Sequence, residues 1–192
     1  MQDWDLYDTM GNRKYLTATE REGFLAAIPG ALAREKRTFA MMLYYSGARI
    51  TEALEVTCGR IDFERGGVVL RSLKKRGTLK YRFVPLPHPF LEKLDDVHHV
   101  KDLARKEPGR RLWGFNRKTG HTAIKAVMRA ANIEGAQSTA HGLRHSFVIA
   151  HQQKKTPPQM IKEWAGWETT EMLEVYGRAL GAEERELASQ IW

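Results

Sequence analysis

The sequence has few of the features that mark secreted, fibrous or membrane proteins. Cys58 is the only cysteine among 192 residues, so no internal disulfide can form and a disulfide-stabilised scaffold is excluded. Charged residues interrupt every apolar stretch before it reaches the roughly 20 residues of a membrane helix. The N-terminal residues also lack the basic region and apolar core of a secretory signal. These absences predict a cytoplasmic protein with no membrane partner.

Internal repeats and low-complexity linkers are absent too, and the composition is that of a folded chain. Hydrophobic residues make up 42% of the sequence and charged residues 28%, which is typical of a soluble globular protein and excludes a disordered or collagen-like one. The length suits a single domain. We expect an N-terminal extension over residues 1–15, one domain over 16–180 and a C-terminal tail helix over 181–192.

Acidic residues are missing from one segment of an otherwise mixed chain. The formal net charge is +8, and residues 71–82 contain no acid but six basic side chains: Arg71, Lys74, Lys75, Arg76, Lys80 and Arg82. The segment 163–186 is instead mainly acidic. A basic surplus confined to one face is expected of a protein that meets a phosphate backbone. A solvated basic surface is the simpler interpretation of the same charges.

Hydrophobic periodicity predicts a mainly α-helical fold with one small three-stranded antiparallel sheet, an α+β arrangement. Strands are expected at 61–63, 68–70 and 81–86, and the connection between the last two is basic and contains Gly77, as a hairpin turn would. A helix is expected from the Thr17–Glu20 capping box to Pro29. The other helices are expected at 32–45, 50–56, 90–105, 121–132, 142–153, 157–165, 169–178 and 183–191.

Two arginines lie where a phosphate could be held. An arginine is always charged, and its planar guanidinium can donate two parallel hydrogen bonds to phosphate oxygens. Arg49 is at the junction of an apolar helix and an amphipathic one, where an ordinary surface arginine is the alternative. Arg144 follows His141 by three residues, so both project from one helix face. An ion pair at the edge of the core is the alternative for Arg144.

Trp167 and Tyr176 stand nine residues apart in EWAGWETTEMLEVYGR. The Ala-Gly-Trp turn separates two predicted helices, and Tyr176 falls late in the second. Either side chain alone is explained by ordinary packing with a polar tip. The sequence also lacks a P-loop, a GxGxxG loop and zinc-type spacing of Cys and His, so we expect neither a metal nor another cofactor.

In their order and spacing, these segments resemble the catalytic domain of the tyrosine site-specific recombinases, the phage integrase family. GARITEAL resembles the family's first arginine box, RSLKKRGTLKYRFVPL its β-hairpin, HGLRHSF its His-x-x-Arg box and AGWETTEMLEVYGR its final box. The match runs from about Leu16 onward, and four ordered boxes make it specific. The resemblance implies the tyrosine-recombinase catalytic-domain fold, as in the short fimbrial phase-variation invertases.

The resemblance also implies a set of active-site residues: Arg49, Lys75, His141, Arg144, Trp167 and Tyr176. The Tyr176 phenol would attack a DNA phosphodiester to give a 3′-phosphotyrosine. Both arginines and the Trp167 indole N–H would hold the phosphate oxygens, and His141 would accept the phenolic proton or stabilise those oxygens. The lysine would protonate the departing 5′ oxygen.

Other residues would support these groups. Glu52 would orient Arg49 or His141 without itself contacting the phosphate. Contacts with DNA are expected from Lys74, Arg76, Lys80, Arg82 and His145. Lys74 and Lys75 are adjacent, and on a strand they would point in opposite directions. Lys75 is preferred as the acid because it is nearer the hairpin tip, and Lys74 is the alternative.

Three features depart from the family pattern. Most members have His where this chain has Trp167, and an indole N–H can donate one hydrogen bond but cannot act as an acid or base. The usual N-terminal helical domain is missing, which fits either a natural single-domain recombinase or an excised catalytic domain. Only a short tail follows Tyr176, enough for one helix of the kind that docks onto a neighbouring protomer.

The expected partner is double-stranded DNA, bound by a homo-oligomer, a tetramer, that can be a monomer in solution. The expected location is the nucleoid. Two other functions use parts of the same site: relaxation of supercoils by a type IB topoisomerase, and DNA binding by an accessory protein that does not cut. The sequence does not distinguish integration from excision, inversion or resolution, since phosphate contacts carry no base specificity.

Overall fold

The computed structural model describes residues 5–73, 79–169, 173 and 189. The helices in this part of the chain are α1 (Ala18–Ala31), α2 (Arg34–Ser46), α3 (Ile50–Leu54), α4 (His88–His98), α5 (Val100–Lys106), α6 (Arg117–Ala130), α7 (Ala140–Gln153) and α8 (Pro158–Ala165). The strands are β1 (Ile61–Asp62), β2 (Gly67–Leu73) and β3 (Leu79–Pro85). They form one sheet in the order β1-β2-β3 with antiparallel neighbours. The predicted mainly helical fold with a three-stranded antiparallel sheet is confirmed.

Local signals set the start of α1. The Thr17 hydroxyl accepts a hydrogen bond from the Glu20 N–H at 3.2 Å, and the Glu20 carboxylate accepts one from the Thr17 N–H at 2.8 Å. The predicted capping box is therefore formed. The helix buries Phe24 and Ile28 on one face and continues to within two residues of its expected end at Pro29.

The segment expected as one helix over residues 90–105 is instead two helices. α4 ends and α5 begins at His99, whose backbone is left-handed with a φ of 53°. Such a conformation is uncommon for a residue other than glycine and interrupts a right-handed helix. The Asp95 carboxylate bridges the break by accepting a hydrogen bond from the Lys101 N–H at 2.8 Å.

The sheet register decides which side chains face the helices. β2 and β3 pair along their whole length, so alternate residues share a face. Leu70 and Val84 are fully buried on the inner face. Arg82 is directly opposite Leu70 and shares that face, whereas Tyr81 on the outer face is exposed.

Residues 5–15 pack against the same core. Leu6 is buried, and the N–H of Leu16 donates a hydrogen bond to the hydroxyl of Ser146 in α7 at 2.6 Å. The packed part of the chain thus includes the segment that we expected as an extension ahead of residue 16. The tail helix expected over 181–192 lies outside the described residues, except for Ser189.

The single cysteine is buried, and the described helices include no membrane span. The single cysteine, Cys58, begins a 3₁₀ turn (Cys58–Arg60) and is only 1% exposed, and burial raises the pKa of its thiol. Among the helices of the described ranges, none is long and apolar enough to cross a bilayer.

Candidate active site

The junction between α2 and α3 places Arg49 at the surface. Gly47 caps the C-terminal end of α2, where a left-handed backbone with a φ of 58° turns the chain. A Cβ at Gly47 would lie 2.6 Å from Cδ1 of Phe147, so both conformation and packing require glycine here. Arg49 then takes the extended N-cap position of α3, with its side chain 38% exposed. An anion can therefore reach its guanidinium from solvent.

Glu52, one turn along α3, is the acidic centre of the site. Its carboxylate accepts hydrogen bonds from the Arg49 N–H at 2.9 Å, from Arg49 Nη1 at 3.0 Å and from the Ser72 hydroxyl at 2.7 Å. Arg82 adds two more, from Nη2 at 2.6 Å and from Nη1 at 3.2 Å. Burial alone would raise the pKa of this carboxyl, but the hydrogen bonds and charge of Arg82, with the charge of Arg144, hold the pKa well below its usual range. Glu52 is therefore ionised at neutral pH and touches Arg49, one of its two expected partners.

Arg82, which was expected from the sequence to contact DNA, is largely buried in β3. Its guanidinium is buried and, besides binding Glu52, donates from Nε to the Trp164 carbonyl at 2.8 Å and from Nη1 to the Ser72 hydroxyl at 2.6 Å. These hydrogen bonds hold the guanidinium between β3, α3 and the end of α8, and the DNA contact expected of Arg82 stays a prediction. The alternation of β3 indicates the burial of Arg82, because Arg82 is two residues before the buried Val84.

Arg144 joins α7 to two other parts of the site. It is 2% exposed, and it donates from Nη1 to the Gly47 carbonyl at 2.7 Å and from Nη2 to the Ala165 carbonyl at 2.5 Å. The start of α7 packs closely at Gly142, where a Cβ would lie 2.0 Å from the Gln137 carbonyl oxygen. Arg144 therefore ties the α2–α3 junction to the end of α8.

His141 and His145 pack edge to face on α7, with ring centroids 4.5 Å apart. His141 is half-buried, whereas His145 is only 1% exposed. Burial, and then the charges of His141, Lys14 and Arg144, lower the pKa of His145 to about 3. His145 is therefore neutral at physiological pH, and the DNA contact expected of it from the sequence stays a prediction.

The end of α8 brings Trp167 to the same cluster. Gly166 ends the helix in a left-handed conformation with a φ of 68°, and a Cβ there would lie 3.0 Å from Nη1 of Arg82. The carbonyls of residues 164 and 165, just before this turn, accept hydrogen bonds from Arg82 and Arg144 respectively. Trp167 follows directly and is 4% exposed. Two arginines thus hold the turn from which Trp167 extends.

The hairpin tip carries predicted residues that lie outside the described part of the chain: Lys74, Lys75 and Arg76. Residues 74–78 connect Leu73 to Leu79, which face each other as the last pair of β2 and β3. Lys80, the next predicted DNA contact, is exposed. The choice between Lys74 and Lys75 stays a prediction.

Tyr176 also lies outside the described residues, but its neighbour Leu173 is placed. Leu173 is buried, and its carbonyl accepts a hydrogen bond from Nε2 of Gln152, in α7, at 3.1 Å. Three residues before the tyrosine, the chain is therefore in contact with the helix that carries His141 and Arg144.

The arrangement concentrates positive charge around one carboxylate. Arg49 and Arg82 both bind Glu52, and Arg144 lies close enough to lower the pKa of that carboxyl. Guanidinium groups fixed in this way bind phosphate oxygens well, and Arg49 is open to solvent. The site can therefore hold a phosphate group and stabilise negative charge that develops on it.

The sequence matches a known protein family over most of its length. The model of the phage integrase family matches residues 14–182, which is most of the chain. The protein therefore belongs to the phage integrase family.

Individual relatives are tyrosine recombinases. The chain is 27% identical over 173 residues to the tyrosine recombinase XerA of Pyrococcus furiosus, covering 86% of this chain and 57% of the relative. It is 30% identical over 155 residues to the tyrosine recombinase XerD of Mycobacterium tuberculosis, covering 77% of this chain and 49% of the relative. The chain thus spans about half the length of these curated relatives.

A solved structure supports the fold. The XerH site-specific recombinase, bound to a palindromic difH substrate in a post-cleavage complex, superposes with a TM-score of 0.76 over 95% of this chain and 55% of the other, at 19% sequence identity. The helices and the three-stranded sheet described above are those of a tyrosine-recombinase catalytic domain.

Proposed function

We propose that the protein is a site-specific DNA recombinase that cleaves and rejoins DNA through a 3′-phosphotyrosine at Tyr176. The observation that supports this most is that Arg144 binds the carbonyls of Gly47 and Ala165. These contacts gather the first arginine box, the His-x-x-Arg box and the start of the final box into one cluster. The simpler interpretations, a surface arginine at Arg49 and a core-edge ion pair at Arg144, do not account for that convergence.

In the cleavage step, the phenolic oxygen of Tyr176 attacks the phosphorus of a DNA phosphodiester. A bond forms between phosphorus and the phenolic oxygen while the bond from phosphorus to the 5′ oxygen breaks. An unperturbed tyrosine has a pKa of about 10, so its proton has to leave as the attack proceeds, and we assign that proton to His141. Lys75, with Lys74 as the alternative, gives a proton to the departing 5′ oxygen. One phosphate ester replaces another, so the linkage is kept for rejoining.

The transition state carries extra negative charge on the phosphate oxygens. We assign Arg49 and Arg144 to bind these oxygens, with Glu52 holding the guanidinium of Arg49 in place. Losing one such fixed donor typically costs about 2.7–4 kcal/mol of transition-state stabilisation. The Trp167 indole N–H adds one donor but cannot take part in proton transfer.

DNA is the partner that we assign to this chain, since the structurally similar Tn1549 transposon integrase is described as in complex with transposon right end DNA. Lys74, Arg76 and Lys80 would contact the backbone near the hairpin. In strand exchange, the 5′ hydroxyl of a second strand attacks the phosphotyrosine and releases the tyrosine. Two duplexes offer four strands, each needing its own nucleophile, so we propose a tetramer on DNA, located at the nucleoid in the cytoplasm.

A covalent capture experiment tests this function without knowledge of the target sequence. The full chain is incubated with a library of nicked duplexes of randomised sequence, in which the short fragment beyond the cut diffuses away and prevents rejoining. Protein–DNA adducts that survive boiling in detergent are recovered and sequenced, and peptide mapping locates the attachment. We expect one family of related sequences, joined through Tyr176.

Tyr176→Phe is the matched control because it removes only the hydroxyl. This variant should bind the recovered duplex and form no adduct. An adduct with Tyr176→Phe would overturn the nucleophile assignment. Binding by the unaltered protein without any adduct would instead support a non-cutting DNA-binding protein. Relaxed circles without recombinants, when two recovered sites are placed on one supercoiled plasmid, would support a topoisomerase.

A further inference from the structure

We propose that Arg82 is a positioning residue for DNA cleavage, which holds Arg49 through Glu52 and holds the turn that carries Trp167. This inference rests on the proposed recombinase function. Arg82 touches none of the reacting atoms in that mechanism. Its effect would pass through the two elements that it binds.

The first connection runs through the carboxylate. Arg82 binds both oxygens of Glu52, from Nη2 at 2.6 Å and from Nη1 at 3.2 Å, and the side chains of the pair are 7% and 5% exposed. The same two oxygens accept the N–H and the Nη1 of Arg49. A carboxylate fixed from one side by a planar guanidinium offers its remaining acceptor directions at fixed angles. The orientation of the exposed Arg49 guanidinium is thereby set by Arg82.

The second connection runs to the end of α8. Nε of Arg82 donates to the Trp164 carbonyl at 2.8 Å, and the next carbonyl, that of Ala165, is held by Arg144. The Gly166 turn lies directly on the guanidinium, because a Cβ at Gly166 would come within 3.0–3.1 Å of Arg82 side-chain atoms. One side chain of the hairpin thus contacts both the first arginine box and the final box.

A second ion pair of this protein has the same form and joins the segment before α1 to the first turn of that helix, with its side chains 32% and 21% exposed. Arg13 binds both oxygens of Glu20, at 2.5 and 2.6 Å, and donates to the Tyr15 carbonyl at 2.6 Å. Like Arg82, it thus joins a carboxylate and a backbone carbonyl. Replacing Arg13 therefore measures what the loss of an arginine–carboxylate pair does to stability while Glu52 keeps its partners.

The experiment compares Arg82→Met, Arg82→Lys and Arg13→Met in the full chain. The probe is the nicked duplex recovered by covalent capture. Three quantities are measured for each protein: the single-turnover rate of adduct formation across the pH range, the affinity for the duplex, and the melting temperature. Rates are taken at a temperature at which every variant is folded.

We expect Arg82→Met to slow adduct formation on the order of 10²-fold, the loss typical of a misplaced catalytic group, with duplex affinity changed less than about threefold. Its rate should also fall as the pH is lowered, because burial raises the pKa of Glu52 once Arg82 no longer opposes it. In Arg82→Lys, the rate of adduct formation should no longer fall as the pH is lowered, because the positive charge beside Glu52 is kept. The rate itself should be only partly restored, since an ammonium cannot bind both Glu52 oxygens and the Trp164 carbonyl together. Arg13→Met should melt earlier and cleave at the rate of the unaltered protein.

The double variant Arg82→Met/Glu52→Gln covers the case in which Arg82→Met does not fold. It removes the unpaired buried charge, so it should fold, and under this proposal it still cleaves slowly. Fast cleavage by the double variant, or a folded Arg82→Met with an unchanged rate and pH profile, would overturn this inference alone. Failure of the unaltered protein to form any adduct would overturn the recombinase function, and this inference with it.

Discussion

Arg144 donates a hydrogen bond to the main-chain carbonyl of Gly47 at 2.7 Å, although the two residues are 97 positions apart. The contact makes the α2–α3 junction, and hence the place of Arg49, depend on a side chain of α7. Arg144 therefore has a structural role through its bonds to the Gly47 and Ala165 carbonyls, in addition to the chemical role that we propose. Stability and cleavage measurements separate the two.

Arg144→Ala should lower both the free energy of unfolding and the rate of adduct formation, by different amounts. Each buried carbonyl that loses its partner, at Gly47 and at Ala165, costs about 1–3 kcal/mol of unfolding free energy. Adduct formation by the folded variant should fall by about 10²–10³-fold, as when one donor to a transition-state oxyanion is lost. Urea unfolding gives the first quantity and single-turnover cleavage the second. A destabilised variant that cleaves at nearly the normal rate would leave Arg144 with its structural role only.

A sulfur-substituted substrate distinguishes Lys75 from Lys74. When sulfur replaces the bridging 5′ oxygen, the leaving thiol has an unperturbed pKa of about 8.5 and departs without a proton donor. We expect Lys75→Ala to lose about 10²–10⁴-fold of its rate on ordinary DNA and to regain most of it on the sulfur substrate. The ratio of the two rates in Lys74→Ala should match that of the unaltered protein. Recovery of Lys74→Ala alone would reverse the assignment.

Gly47→Ala should destabilise the fold, and Gly23→Ala is its control. The backbone at Gly47 is left-handed, and the new Cβ would lie 2.6 Å from the Phe147 ring, so strain and overpacking together should cost about 1–3 kcal/mol. Gly23 lies inside α1 with no atom within 4 Å of the added Cβ, and alanine there should stabilise by roughly 0.5–1 kcal/mol. Thermal unfolding of both variants tests the pair. If Gly47→Ala and Gly23→Ala both raise or both lower the melting temperature, the role given to Gly47 is contradicted.

The lowered pKa of His145 should reduce the free energy of unfolding in acid. Its pKa falls from the ordinary 6.5 to about 3 in the folded protein, so between these values the unfolded chain binds a proton that the folded chain does not. Stability should therefore decrease as the pH falls below about 6.5, by up to about 1.4 kcal/mol per pH unit. His145→Gln removes the titration and should flatten this slope in urea unfolding. If stability depends on pH equally in His145→Gln and in the unaltered protein, the effect belongs to another group, such as His151, whose pKa is also lowered by burial.

The elements that local chemistry determines were predictable from the sequence. The capping box of Thr17 and Glu20 needs only four consecutive residues, and the strands follow from alternation along the chain. The break at His99 was not predictable in this way, because no glycine or proline marks it. Its left-handed backbone is accompanied by a hydrogen bond between Asp95 and Lys101 on either side, a pairing that periodicity does not reveal.

For the candidate site, the motifs indicated which segments to compare but not how they touch. Arg82 and His145 were expected to contact DNA, and the motifs did not indicate that both are buried. Arg82 is buried because its partner Glu52, 30 positions away, compensates its charge. Such pairing depends on the tertiary fold. The carbonyl contacts of Arg144 also involve backbone atoms, which every residue has and no motif marks.

The burial of Cys58 has a practical consequence for counting protomers on DNA. A thiol that is 1% exposed, with its pKa raised by burial, reacts slowly with maleimide dyes, because the thiolate is the reactive form. A cysteine placed at Met10, which is 85% exposed, would then carry nearly all of the label. Each copy bound to a single DNA molecule would contribute one fluorophore, and stepwise photobleaching would reveal how many copies assemble.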